Sequence, residues 1–139
     1  MPIRLMSLSD YDAVLALWQA SPGVGLSDAD SPGAIARFLE RNPGLCFVAE
    51  EEGRLAGAVL CGHDSRRGYI YHLAVHPHFQ RRGLGQALVQ RCLEGLRALD
   101  IHKCHIFVYG QNESGLAFWR QAGWVQRFDL EDWPRYSCG

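Results

Sequence analysis

At 139 residues the chain fits a single domain, residues 1–139, with room for a real core. Apolar residues make up 47% and charged residues 21%, which excludes a disordered chain. The formal net charge of −1 argues against general nucleic-acid binding, whose affinity comes from a large basic excess.

Residues 3–7, "IRLMS", alternate as a short first strand. Ser9 or Asp10 then caps a helix whose apolar positions Tyr11, Val14, Leu15, Leu17 and Trp18 recur at helical spacing. The segment 21–33, "SPGVGLSDADSPG", reads as a loop, and its second "SP" opens a helix over about 32–41 with proline at the first helical position. The period then changes. Residues 45–64 read as two strands joined by a turn at Glu52 and Gly53, and 68–75, "GYIYHLAV", as a third strand that Pro77 ends. From Gly83 to Leu99 an amphipathic helix gathers Leu84, Leu88, Val89, Cys92, Leu93, Leu96 and Leu99 on one side. A strand over 103–110, a short helix over 114–123 with a glycine stop, and a closing strand over 124–130 complete the order. This is a mixed α/β (α+β) sheet with helices packed on it.

No hydrophobic run approaches the roughly 20 residues that span a bilayer. The first residues lack the apolar core and cleavage site of a signal peptide. The five cysteines, Cys46, Cys61, Cys92, Cys104 and Cys138, are odd in number and show no CxxC spacing. They indicate a reduced, cytoplasmic protein with no metal site, and the lack of a spanning run implies no membrane partner. Four fall within predicted strands or a helix, where thiols pack as small hydrophobes; Cys138 is the exposed, oxidisable one.

The stretch "QRRGLG", Gln80 to Gly85, precedes the long helix. A Walker loop is excluded because Leu88 stands where its second glycine, just before the Lys-Ser/Thr pair, would fall, and the dinucleotide fingerprint fails because its third glycine would also fall at Leu88. The first turn of any helix still presents free N–H groups and a positive dipole end. Glycines at 83 and 85 let a diphosphate approach the amides of Arg82 to Gln86, with Gln80, Arg81 and Arg82 as added donors. On local chemistry the loop is either such a cradle or a basic turn that begins a helix.

The longer segment "YHLAVHPHFQRRGLGQALV" resembles the acetyl-CoA-binding motif of the GCN5-related N-acetyltransferases (GNAT): a strand ending in Val-x-Pro, then Gln/Arg-x-x-Gly-x-Gly/Ala, then a helix. Val75-His76-Pro77 and Gln80 to Gly85 match it, and Val108, Asn112 and Gly123-Trp124 match a second family motif. Element order and lengths agree along nearly the whole chain. The resemblance implies a mostly antiparallel sheet, splayed between strands 69–75 and 103–108, with helices on both faces. It implies acetyl-CoA as cosubstrate, its pyrophosphate on the amides of Arg81, Arg82, Gly83, Leu84, Gly85 and Gln86 beside Gln80. The pantetheine arm would pair with main-chain groups near Leu73, Ala74 and Val75, with Asn112, Phe118 and Trp119 on its other side. A strand N–H would meet the thioester carbonyl.

Two departures bear on catalysis. The family often places a glutamate where this chain has Tyr71, followed by His72, and a tyrosine acid where it has Trp119. An indole N–H does not give up its proton near neutral pH. The replacements available are Tyr71, His72 and Tyr109, each with an alternative role in packing the sheet. No cysteine has a partner that would activate it, so direct attack by the amine is expected rather than an acyl-enzyme. The acceptor would be a small-molecule or peptide amine, drawn by Asp28, Asp30, Asp129, Glu131 and Asp132, with Trp133 and Tyr136 as an aromatic wall. A homodimer completing the sheet is a further expectation. Two functions stay open: an N-acetyltransferase acting on a primary amine, or a catalytically silent acyl-CoA-binding module.

Overall fold

A computed structural model describes residues 2–130. They fall into two compact units, one through Phe107 and the other from Val108.

The first unit is built on a five-stranded sheet: β1 (Ile3–Leu5), β2 (Phe47–Glu51), β3 (Arg54–His63), β4 (Gly68–Val75) and β5 (Cys104–Ile106), paired in that order. β1 to β4 run antiparallel. β4 and β5 are parallel, which a tight turn cannot achieve, so the long helix α3 (Leu84–Ala98) makes the crossover. The β2–β3 turn is Glu52-Gly53, both at positive φ (55° and 75°), the pairing that matches the twist of a two-residue hairpin.

Helices α1 (Tyr11–Gln19) and α2 (Pro32–Arg41) cover one face of the sheet, joining Val14, Leu17, Trp18 and Ile35 to Val48, Ala58, Leu60 and Ala74 in one core. Ser31 caps α2 by accepting the Ala34 amide at 3.2 Å, with Pro32 behind it, as the "SP" signal predicts. α3 covers the other face with Leu84, Leu88, Val89, Cys92 and Leu96. Leu99, predicted on that apolar side, is 51% exposed because the helix ends one residue before it.

β4 carries the feature that shapes the site. Ala58 faces Ala74 and Leu60 faces Tyr71, so three steps on β4 oppose two on β3. The extra residue is a β-bulge, and His72 within it has φ 53°. A bulge bends its strand, and the ladder to β5 ends at Ile70–Ile106 while β4 runs on to Val75. The strand expected over 103–110 is accordingly three residues long, with Phe107 79% exposed.

The second unit holds α4 (Glu113–Gln121), capped by Asn112 and stopped by Gly123 at φ 93°. The closing strand expected over 124–130 does not form. Alternating side chains make a strand only where a neighbour takes up the backbone groups, and the described residues supply none there. Val125, Phe128 and Leu130 are exposed instead. Glu131, Asp132, Trp133, Tyr136 and Cys138 lie outside the described residues.

Candidate active site

The bulge turns His72 toward the α1–α2 face, where three contacts hold it. Its carbonyl accepts the indole N–H of the fully buried Trp18 at 3.1 Å. Its ring meets the Trp18 ring edge-on, with centroids 4.9 Å apart. Its Nε2 lies 2.8 Å from Oδ1 of Asp30, a buried carboxylate on a one-turn 3₁₀ segment, Asp28–Asp30. A left-handed non-glycine residue costs about 1–3 kcal/mol and persists only where its surroundings over-determine it. Trp18 and Asp30 supply that constraint from two separate elements.

Tyr71 stands beside it, stacked on Tyr69 at 6.4 Å and edge-on to Phe38 at 6.1 Å. Burial pushes its phenol above the ordinary value, with the neighbouring Tyr69 adding to the effect. These three rings, with His63 and Asp64, line a cavity of about 340 Å³. The Asp64 carboxyl lies below the usual range because the Arg67 and Arg66 amides donate to it, which ties it to the β3–β4 turn.

Past the bulge, the His76 amide donates to the Ala56 carbonyl at 2.8 Å, on the β3 side. Alternation along an antiparallel strand then directs the main-chain groups of Leu73 and Val75 to the opposite edge, and those of Ala74 to β3. The Val75 carbonyl also accepts the side-chain amide of Gln80 at 3.0 Å. The Gln80 side chain, expected at a phosphate rim, thus fastens the turn that leads into α3.

That turn is an open nest. Arg81 and Gly83 both have positive φ (64° and 77°), and a Cβ added at Gly83 would meet nothing within 4 Å. Arg81, Arg82, Gly83 and Gln86 are exposed, whereas Leu84 and Gly85 are buried in the first turn of α3. Arg82 lies over the Phe79 ring at 5.6 Å, which keeps its guanidinium beside the nest. A second cavity, about 290 Å³, opens against Arg82, Gly83 and Leu84. Successive amides around residues of alternating handedness form an anion-binding concavity, and these residues fit a diphosphate.

Tyr109, Asn112, Phe118 and Trp119 belong to the second unit. Tyr109 is 59% exposed. The Asn112 side chain accepts the Gly115 amide at 3.0 Å, so its oxygen caps α4. Trp119 packs edge-on between Phe118 at 5.0 Å and Trp124 at 4.9 Å.

The acidic residues are less available than their number suggests. Asp30 is committed to His72 and to the Ser27 amide, and Asp129 pairs with Arg127 at 2.7 Å. Cys46, Cys61 and Cys92 are buried and free, and Cys104 is half-buried and free. Burial pushes the Cys46 and Cys104 thiols up to about 12, unsuited to nucleophilic attack. Among the described residues no cluster of His, Cys, Asp or Glu could hold a metal ion, and no helix is long and apolar enough to cross a membrane. Sequence reasoning missed the roles of Asp30 toward His72 and of Trp18. Asp30 lies 42 residues from His72, and its only local signal is the Ser27–Asp30 capping pattern.

Comparison with known proteins agrees with this geometry. The acetyltransferase (GNAT) family profile matches residues 11–124. An acetyltransferase of Pectobacterium atrosepticum is 34% identical over 121 residues, covering 87% of this chain and 85% of its own. The aminoglycoside 6'-N-acetyltransferase of Acinetobacter haemolyticus shares the fold with a TM-score of 0.79 at 14% identity, covering 99% of each chain. PaiA N-acetyltransferase of Thermoplasma acidophilum, solved with coenzyme A, gives 0.76 at 17% identity over 86% of each chain. With a profile spanning most of the chain and 34% identity over 121 residues to a relative of similar length, this chain belongs to the acetyltransferase (GNAT) family.

Proposed function

We propose that this protein is an acetyl-CoA-dependent N-acetyltransferase that modifies a primary amine by direct attack. One observation carries the reading: among the described residues the β4 edge is unladdered from the bulge at His72 to Val75, and it leads into the open amide nest at Gly83. The nest amides and Arg81 and Arg82 would hold the diphosphate of the coenzyme, and the main-chain groups of Leu73 and Val75 its extended arm. Family membership and a neighbour solved with coenzyme A support this assignment. Bound acetyl-CoA supplies the electrophilic thioester carbon.

His72 is the base in this reading. Its Nε2 is engaged by Asp30, and Nδ1 makes no hydrogen bond among the described residues. A proton leaves the amine for the imidazole as the nitrogen lone pair forms the C–N bond. The C–S bond breaks, and its electron pair departs on sulfur, a fair leaving group without an added acid. Tyr71, Tyr69 and Phe38 would wall the acceptor side, whose aromatic faces suit an amine on an apolar body.

Calorimetric titration with acetyl-CoA, against ATP as control, tests the cradle, and thiol release over an amine panel tests turnover. Saturable binding of acetyl-CoA but not ATP, with turnover that falls on the order of 10²–10⁴-fold in His72→Gln, is the expected result. No binding removes the reading. Tight binding without turnover of any amine favours a silent acyl-CoA-binding module, the alternative that Tyr71 and Trp119 keep open by replacing the family's glutamate and tyrosine.

A further inference from the structure

An imidazole base works only if its lone pair sits on the nitrogen that faces the amine. The surroundings of Asp30 bear on which nitrogen that is. Asp30 is 7% exposed, and its two oxygens have separate partners. Oδ1 faces Nε2 of His72 at 2.8 Å, while Oδ2 accepts the main-chain N–H of Ser27 at 3.1 Å. The segment is fastened on both sides: the Tyr11 hydroxyl donates to the Asp30 carbonyl at 2.6 Å, and Ser27 Oγ accepts the Ala29 amide at 3.1 Å. A carboxylate only accepts, so the facing nitrogen must carry the proton. The lone pair is then left on Nδ1. The ring cannot be re-aimed by a backbone shift without breaking the Trp18–His72 hydrogen bond.

We infer that Asp30 is a positioning residue that fixes His72 as the Nε2–H tautomer, an inference that rests on the reading of His72 as the base. The Ser27 amide makes the assignment specific. Asparagine at position 30 would offer one acceptor oxygen to two donors. Its NH₂ cannot face the Ser27 N–H, since two donors repel, so the oxygen turns to Ser27 and the NH₂ to His72. Nε2 must then accept, the ring proton moves to Nδ1, and the lone pair needed by the amine is gone. Asp30→Asn therefore relocates one proton while keeping the volume and the turn.

The test uses the ligand-free full chain with ¹⁵N-labelled histidine. Long-range ¹H–¹⁵N spectra of the neutral ring identify the protonated nitrogen of His72. The expected result is Nε2–H in the wild type and Nδ1–H in Asp30→Asn. In the variant, kcat falls on the order of 10²–10⁴-fold while the Kd for acetyl-CoA holds. An Nδ1–H wild type overturns the inference, as does an Asp30→Asn protein that keeps the Nε2–H form. If the variant does not fold, the wild-type spectrum alone decides. His72→Gln separates the two readings. Full activity there removes the base while the tautomer result still judges Asp30. An inactive His72→Gln with the wrong wild-type tautomer removes only the role of Asp30.

Discussion

Replacing Trp18 with phenylalanine measures what holds the bulge in β4. Trp18 is fully buried, and its indole N–H is the donor to the carbonyl of His72. Phenylalanine keeps a ring but removes that donor, which leaves the carbonyl unpaired at a cost of about 1–3 kcal/mol. The smaller ring also forfeits burial worth about 1 kcal/mol, at roughly 0.8 kcal/mol per buried methylene equivalent. The sum is about 2–4 kcal/mol. For a chain of this length each kcal/mol moves Tm by about 3–4 °C, so the melting point should fall by about 6–16 °C. Differential scanning calorimetry, with urea denaturation as a check, reads the loss. Amide exchange at Ala74, whose N–H faces β3, should quicken in the same variant, because the bulge loses its fastening. A loss below about 1 kcal/mol with unchanged exchange would refute the argument, since the left-handed His72 would then be held by something other than Trp18.

Further outcomes are equally direct. Gly83→Ala adds a Cβ in open space at φ 77°, so it should cost about 1 kcal/mol of stability through backbone strain alone and also weaken acetyl-CoA binding measured by calorimetry. Equal stability would remove the strained-nest description. The Arg4 guanidinium holds the Asp10 carboxyl below the usual carboxylate range, so the pairing stabilises the fold above the ordinary aspartate value of about 3.9 and ceases to do so as pH falls through the folded value. The stability gap between wild type and Arg4→Met in urea should be constant near neutrality and close below about pH 4. A gap that persists into strong acid contradicts the assignment. Peptide mapping after brief iodoacetamide treatment of the native protein should find Cys46, Cys61 and Cys92 unlabelled, and all three labelled after denaturation.

Local chemistry made much of this protein legible in its residues. The Ser31-Pro32 start of α2, the Glu52-Gly53 hairpin, the span of β4 and the amphipathic face of α3 each follow from preferences acting within a few residues. The glycine nest was legible for the same reason, because turn handedness and helix-start amides are properties of the segment itself. The strand forecast over 124–130 failed because a strand is completed by a neighbour, and period-two alternation cannot supply one. What only the tertiary structure decided is the set of relations that cross the chain. The bulge at His72 arises from register against β3, its carbonyl is satisfied from α1, and its ring is held from the turn before α2. None of these has a sequence signature, since each joins groups tens of residues apart that meet only when the sheet and its helices pack.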